Sequence, residues 1–501
     1  MYACRQYHLD TSYHRHGMDP HYLDWGNQPD VFKCYPSGES LYLDDAASLP
    51  DTSLWEVAQS RPPARVESGI TRADVSRILS LAYSLTAERR HAAGSFYYRS
   101  VASAGALFPT ELYVLIARSQ DTAAGLYHYA IARPQLTRLR LGNLSAHVVA
   151  LVPFWQNHWP AASFFISGIF FRSAWKYRKR AYRYVLLDAG HLLANLVLAQ
   201  KALGLPVATA YDFDDERINV LIGTSGRREV CLACTAIPDA KAGQMPSADE
   251  LKPLPADICG RSQVSAAEKS FAEIEKIHAA GYCHGPQREV ADDMAALLGI
   301  LPSTWAHFGK SQVSGDELGL SDAILRRRSR RNYVRRPLSF ENFTRLLDLI
   351  WLARKHDSAA DGRMNATIAL GFLAGGVDGL DAGFYLVDAG SRRYGLVKGG
   401  AFVEKMAAAC LDQKWLAQAA VHFLFMANLE CLDRWYGPRG YRYAMLSAGQ
   451  LGQMVYLGAT ALGLGACGIG AVYDDEARIL LGLNPESSLL YLTAAGPVKQ
   501  G

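Results

Sequence analysis

This chain carries one long pattern twice. Tyr182-Arg183-Tyr184 runs on through Val185-Leu186-Leu187-Asp188-Ala189-Gly190. Tyr441-Arg442-Tyr443 runs on through Ala444-Met445-Leu446-Ser447-Ala448-Gly449, 259 positions later (441 − 182). Both segments reach the same ending, Ala202-Leu203-Gly204-Leu205 and Ala461-Leu462-Gly463-Leu464, and then an acidic turn, Asp214-Asp215-Glu216 and Asp474-Asp475-Glu476. Solenoid units repeat every ~20–50 residues, so a unit this long is a whole domain. The sequence therefore predicts two tandem copies of one domain, pairing as a pseudo-dimer within a single chain that could be monomeric.

With 501 residues, each copy is large enough to bury its own core. Half the residues are hydrophobic (50%) and 20% are charged, the balance of an ordinary globular protein. A net charge of +4 is too small to argue for nucleic acid or a membrane surface. No secretory signal opens the sequence, since residues 1–35 are rich in His, Asp, Arg and Tyr. Residues 443–473 carry no charge. Ser447, Gln450, Gln453 and several glycines interrupt them, so they read as a buried helix between the copies and not as a membrane span. The nine cysteines are odd in number and scattered, which fits a reducing, cytoplasmic setting. Cys231 and Cys234 have metal-like spacing but sit in a strand-like run with no second pair, so no metal site is expected.

The boundaries read as a leader at 1–50, a first copy at 51–238, a connector at 239–286 and a second copy at 287–501. Helical periodicity marks Thr71–Thr86, Asp188–Leu203, Ser339–Ala353 and Ser447–Leu462. Strand-like runs cover Thr110–Ala117, Ala162–Phe171, Glu229–Ile237, Val421–Ala427 and Leu489–Ala495. The interleaving predicts an α+β fold with helices packed on a mixed sheet.

Four stretches carry chemistry. Arg327-Arg328-Ser329-Arg330-Arg331 is dense enough to grip a phosphate through charge-assisted bonds, or to form a solvated basic face. Ser103-Ala104-Gly105-Ala106-Leu107-Phe108-Pro109 precedes a strand, and its small residues let backbone lie close to a flat ligand. Gly463-Leu464-Gly465-Ala466-Cys467-Gly468-Ile469-Gly470 reads as a glycine loop after a helix, which is the wrong order for a dinucleotide fingerprint. In Lys176-Tyr177, positive charge can favour the phenolate, giving a proton-transfer pair; an exposed basic segment is the bland alternative.

Taken together, these stretches resemble the SagB-type, thiazole/oxazole-forming dehydrogenases of the FMN-dependent nitroreductase superfamily. The leader is similar too, at Tyr7-His8, Tyr22-Leu23-Asp24-Trp25-Gly26-Asn27-Gln28-Pro29 and Phe32-Lys33-Cys34-Tyr35. The resemblance implies a nitroreductase-like fold with FMN at the contact between copies. Arg327, Arg328, Ser329 and Arg331, with Lys499, would hold the phosphate. Gly465, Gly468, Ile469 and Gly470 would face the ring edge, and Ser103, Ala104 and Gly105 would cover it from the other copy. The first copy keeps only Arg61 and Arg65 where the second has its arginine cluster, and the second has Trp435-Tyr436 opposite Lys176-Tyr177. One composite site is expected intact and its mate degraded. Ala102 stands where the family has proline.

The activity implied is oxidation of an azoline ring to an azole, with Tyr177 as base and Lys176 assisting, on a peptide or small-molecule substrate and with a cyclodehydratase as partner. An NAD(P)H-dependent nitro or quinone reductase is the second reading, and a non-catalytic flavin-fold scaffold the third. The leader histidines His8, His14, His16 and His21 are irregularly spaced, which favours structural roles.

Overall fold

The computed structural model describes residues 3–499 except 19–20, 37, 44–47, 92–93, 242–250, 284–292, 311–316, 356–365 and 389. Two seven-stranded sheets share one strand order. From edge to edge the first runs Ser40–Tyr42, Gln135–Leu141, Gly125–Ala130, Thr110–Ile116, Pro160–Ile169, Glu229–Pro238, Ala208–Ala210. The second runs Trp305–His307, Arg393–Gly399, Gly383–Asp388, Ala369–Ala374, Val421–Asn428, Ser487–Gly496, Gly465–Ile469. The duplication is thus complete at the level of topology, and the fold is α+β.

Two details differ from the sequence expectation. Every ladder in the two sheets is antiparallel, where a mixed sheet was expected. Short turns join the strands within 110–141, and only antiparallel neighbours can be joined that way. Gly465–Ile469, expected as a loop, is an edge strand paired with Ser487–Gly496. Its glycines let it lie flat against neighbours, since a Cβ on Gly465 would stand 2.8 Å from Arg330 Cβ.

A long buried helix crosses each copy, Ala181–Ala202 and Arg439–Ala461. Both start well before the periodicity does, because the Tyr-Arg-Tyr residues that look polar are buried. The two helices pack on each other at Gly190 and Gly449. The uncharged stretch 443–473 covers most of the second helix but not its start with Arg439 and Arg442, and no described helix is long and apolar enough to cross a membrane.

The buried arginines explain the early start. Arg180 and Arg183 reach Asp474 of the other copy at 2.6 and 2.7 Å. Their twins, Arg439 and Arg442, reach Asp215 at 2.6 and 2.7 Å. Each aspartate opens a short helix, Asp215–Ile222 or Asp474–Leu481, where a negative charge also meets the helix N-terminus. Each cluster holds a histidine. His8, in the leader helix Cys4–Asp10, lies 3.2 Å from Asp474 and hydrogen-bonds the Tyr441 hydroxyl at 3.1 Å. His278, in the connector helix Ala272–Ala280, hydrogen-bonds the Tyr182 hydroxyl at 3.2 Å. The two helices hold twin places in the pseudo-symmetry.

Candidate active site at the junction of the copies

The turn after Ser103 is strained. Gly105, Ala106 and Phe108 have φ of 66°, 54° and 44°, a region that two of these side chains rarely enter. Such strain persists where surrounding bonds over-determine it. Here Asp188, on the first long helix, accepts from Ser103 Oγ at 2.5 Å and from Ala104 N–H at 3.3 Å. Ser103 Oγ in turn accepts the Phe108 N–H at 2.9 Å. The Asp188 side chain is buried, and burial pushes its carboxyl up to about 7 against the pull of those two hydrogen bonds.

The second copy builds the opposite wall. Ser329 bridges to Ala466 on the edge strand, and its hydroxyl meets the Tyr456 hydroxyl at 2.9 Å. Tyr456 also accepts the Gly468 N–H at 2.6 Å. A Cβ on Gly468 would overlap the Tyr491 hydroxyl, and one on Gly470 would stand 2.7 Å from the Tyr184 ring. Beneath them His191 bonds Gln453 at 2.7 Å and Tyr491 at 3.0 Å, and burial pushes it down to about 4, so it is neutral at ordinary pH.

Between the walls lies one cleft. Of the residues singled out from sequence, Ser103, Ala104, Gly105, Tyr177, Ser329, Arg331, Gly468, Ile469 and Gly470 all line it. Tyr177 packs on Tyr184 with ring centroids 4.4 Å apart. Its hydroxyl lies 2.8 Å from where a Gly105 Cβ would be, and Lys176 Nζ lies 3.4 Å from that point. The expected depression of the phenol is corrected. Burial, with Tyr184 and Asp188 adding to it, pushes Tyr177 well above the usual tyrosine range. Lys176 Nζ stands 5.5 Å over the ring face and does not offset that burial.

The arginine cluster divides, and part of the expected phosphate grip is corrected. Arg327 is buried at 4% exposure and spends its guanidinium on the carbonyls of Ser100, Arg99 and Val101, at 3.1, 2.9 and 3.2 Å. Arg328 is half-buried and bonds the carbonyls of Leu325, Arg327 and Thr86. Both therefore brace the second copy against the first. Ser329, Arg330 and Arg331 are exposed, and among the described residues neither Arg330 nor Arg331 has a carboxylate partner. Gly465 packs behind the strand against Val498 and Arg330, and Lys499 is exposed, its N–H donating to the Asn332 carbonyl at 3.0 Å.

The model of the Nitroreductase family matches residues 65–237 and 384–496, one segment in each copy. The chain belongs to the nitroreductase family. A provisionally named nitroreductase of Methanocaldococcus jannaschii is 31% identical over 180 residues, which span 35% of this chain and 90% of that protein. The trifolitoxin-processing protein TfxB of Rhizobium leguminosarum bv. trifolii is 28% identical over 138 residues, 26% of this chain and 37% of its own length. A crystal structure of a provisionally named nitroreductase from Anabaena variabilis superposes with a TM-score of 0.75 at 24% identity, covering 99% of this chain and 100% of that one. That likeness carries the doubled fold across the whole length.

The cleft of this nitroreductase-family chain fits a flat ring with an anionic tail. Small residues face each other across it, and Arg331, which has no carboxylate partner among the described residues, lines it. Behind Tyr456, Arg327 Nη1 is buried with no acceptor among the described residues, a donor that an added group could satisfy. Sequence reading missed Tyr184, Asp188, His191, Gln413, Tyr456 and Tyr491 as lining residues. The available signal was the twin alignment. Asp188 stands opposite Ser447, so a buried carboxyl is kept only in the copy that also keeps the Ser103 turn.

Proposed function

We propose that this chain is an FMN-dependent oxidoreductase that dehydrogenates azoline rings of a peptide to azoles. The observation that carries this reading is the single cleft to which the first copy contributes Ser103–Gly105 and Tyr177 and the second contributes Ser329, Arg331 and Gly468–Gly470. When bound, FMN supplies a two-electron acceptor that no side chain of the protein provides. Arg331 and Ser329, with Arg330 next to them in sequence, would hold the phosphate, and the Ser103 turn and the Gly468–Gly470 segment would hold the ring. Tyr177 handles the ring proton of the substrate, with Lys176 at its side. Since burial keeps the phenol protonated near neutrality, this role strengthens as the solution becomes more alkaline.

A peptidic substrate is supported by the leader. His21 bonds the Lys176 carbonyl at 2.9 Å, and Trp25, 67% exposed, packs edge-on to Trp175 at 5.2 Å. An aromatic, accessible face therefore adjoins Lys176. The relative TfxB is a trifolitoxin-processing protein, which accords with a peptide-modifying role. A cyclodehydratase that makes the azoline is the partner this chemistry requires.

The test is anaerobic reduction of the FMN-loaded protein. An azoline-containing peptide should bleach the flavin absorbance, with an azole as product. Rapid bleaching by NADPH and none by the peptide would turn the assignment to a nitro or quinone reductase. A protein that refuses FMN altogether would leave a scaffold role.

A further inference from the structure

Three carboxylates stand out as buried near the contact between the copies, and they are not alike. Asp215 and Asp474 each receive two arginines. Asp188 is 4% exposed and, among the described residues, has no cation within ion-pair distance. An isolated buried charge is costly, and a carboxyl in that position neutralises by keeping its proton. Asp188 is also tied to the strained turn, through Ser103 Oγ and Ala104 N–H, and its twin in the other copy is Ser447.

We infer that Asp188 is the positioning residue of the cleft: with its proton in place it locks the Ser103–Phe108 turn closed, and losing that proton loosens the turn. This extends the flavin reading given above, though the turn itself can be tested without a flavin. In the locked state the carboxyl accepts the Ser103 hydroxyl at one oxygen and the Ala104 N–H at the other, and its proton spares the site a buried charge with no cation beside it.

The titratable groups around Asp188 change charge outside the range in which it does. Tyr177 and Tyr491 are phenols pushed upward by burial and partly by Asp188 itself. His191, on the same helix, is pushed down to about 4. Tyr184 and Arg331 line the same cleft, and Lys176 Nζ lies 3.4 Å from where a Gly105 Cβ would stand. The carboxyl sits at about 7 against a usual 3.8. The closed turn thus binds a proton that the open, solvated turn has released, and closure weakens progressively as pH rises from about 4 to about 7.

The experiment is amide hydrogen exchange of the full-length protein without added ligand, followed on the peptide containing residues 103–108 and corrected for the intrinsic pH dependence of exchange. Wild type and Asp188→Asn are compared on both sides of about 7. Asn keeps the size and the neutral, hydrogen-bonding form of the acid. The expected result is protection of Ala104 and Phe108 that falls at least several-fold across that range in wild type and stays flat in Asp188→Asn. Equal pH dependence in both proteins overturns the inference, as does flat protection in both.

A second measurement separates this inference from the cofactor reading. Riboflavin, which lacks the titrating phosphate, is bound at each pH alongside FMN. Riboflavin affinity should weaken as pH rises through about 7 in wild type and not in the variant. If neither flavin binds either protein, the cofactor reading fails and the exchange result alone decides the role of Asp188.

Discussion

Gly190 and Gly449, twin residues of the two copies, touch at the crossing of the two long helices. A Cβ added to Gly190 would lie 2.9 Å from Gly449 Cα, and one added to Gly449 would lie 3.0 Å from Gly190 Cα. Each would also overlap a main-chain carbonyl of the other helix, Leu446 or Leu187. No flexible side chain is available to yield. The approach of the helices brings Asp188 and the Ser103 turn of one copy opposite the Gly468 strand of the other.

Alanine at either glycine should therefore force the helices apart. Overpacking a close contact costs about 1–3 kcal/mol. Gly190→Ala and Gly449→Ala should each lower the urea midpoint by a corresponding amount and weaken flavin binding. An unchanged midpoint in both would show that the crossing is softer than drawn.

The arginine–aspartate clusters predict strong damage from loss of either carboxylate. Asp474→Asn leaves Arg180 and Arg183 buried without a carboxylate, and removing one partner of a buried pair costs about 3–5 kcal/mol. Both carboxyls are held well below the usual range, first by their two arginines. Their folded-state values are depressed, so their stabilisation is present above about pH 4 and is lost as pH falls below it. Equilibrium unfolding at acid and neutral pH would check this.

Buried histidines should extend that acid sensitivity to milder pH. His8, His191 and His422 are pushed by burial from 6.5 down to about 4. Between those values the unfolded chain takes up protons that the folded chain refuses, so stability falls as pH drops below about 6.5. Asp188 acts in the opposite sense, which makes the Asp188→Asn background the cleaner one. His8→Gln should remove part of the loss in a urea titration followed across that range.

Lys176 and Tyr177 are the proposed proton-handling pair. Tyr177→Phe should lower turnover by about 10²–10⁴-fold while leaving FMN affinity close to wild type. In wild type the rate should climb with pH through the neutral range, because the phenolate fraction of a strongly raised tyrosine grows about tenfold per unit. A rate independent of pH there would assign the proton transfer elsewhere.

The arginine cluster should split on mutation. Arg331→Ala should weaken FMN about 10- to 100-fold, the loss of one charge-assisted bond, with little effect on folding. Arg327→Ala should do the reverse, lowering thermal stability by removing a brace on three carbonyls of the first copy. Comparing FMN with riboflavin by fluorescence quenching would show whether the Arg331 effect belongs to the phosphate.

The amino-acid order by itself determined that this is one domain written twice, and it located the stretches that carry the cleft. The repeated Tyr-Arg-Tyr and Ala-Gly segments fix equivalent positions in two helices, and local patterns of small, cationic and phenolic residues survive in one copy and not the other. The sequence could not say which of the four arginines in Arg327–Arg331 turns inward, because Arg327 and Arg331 are alike until the carbonyls of Arg99–Val101, more than two hundred positions earlier, stand beside one of them. Nor could it show that, among the described residues, Asp188 has no cation partner while Asp215 and Asp474 have two arginines each. Burial and partnership are properties of contacts between distant segments, and they decide whether a side chain is charged, neutral or a strut. Tyr177 makes the same point: its lysine neighbour in sequence suggested an acidic phenol, and the desolvation imposed by the folded cleft outweighs that one charge.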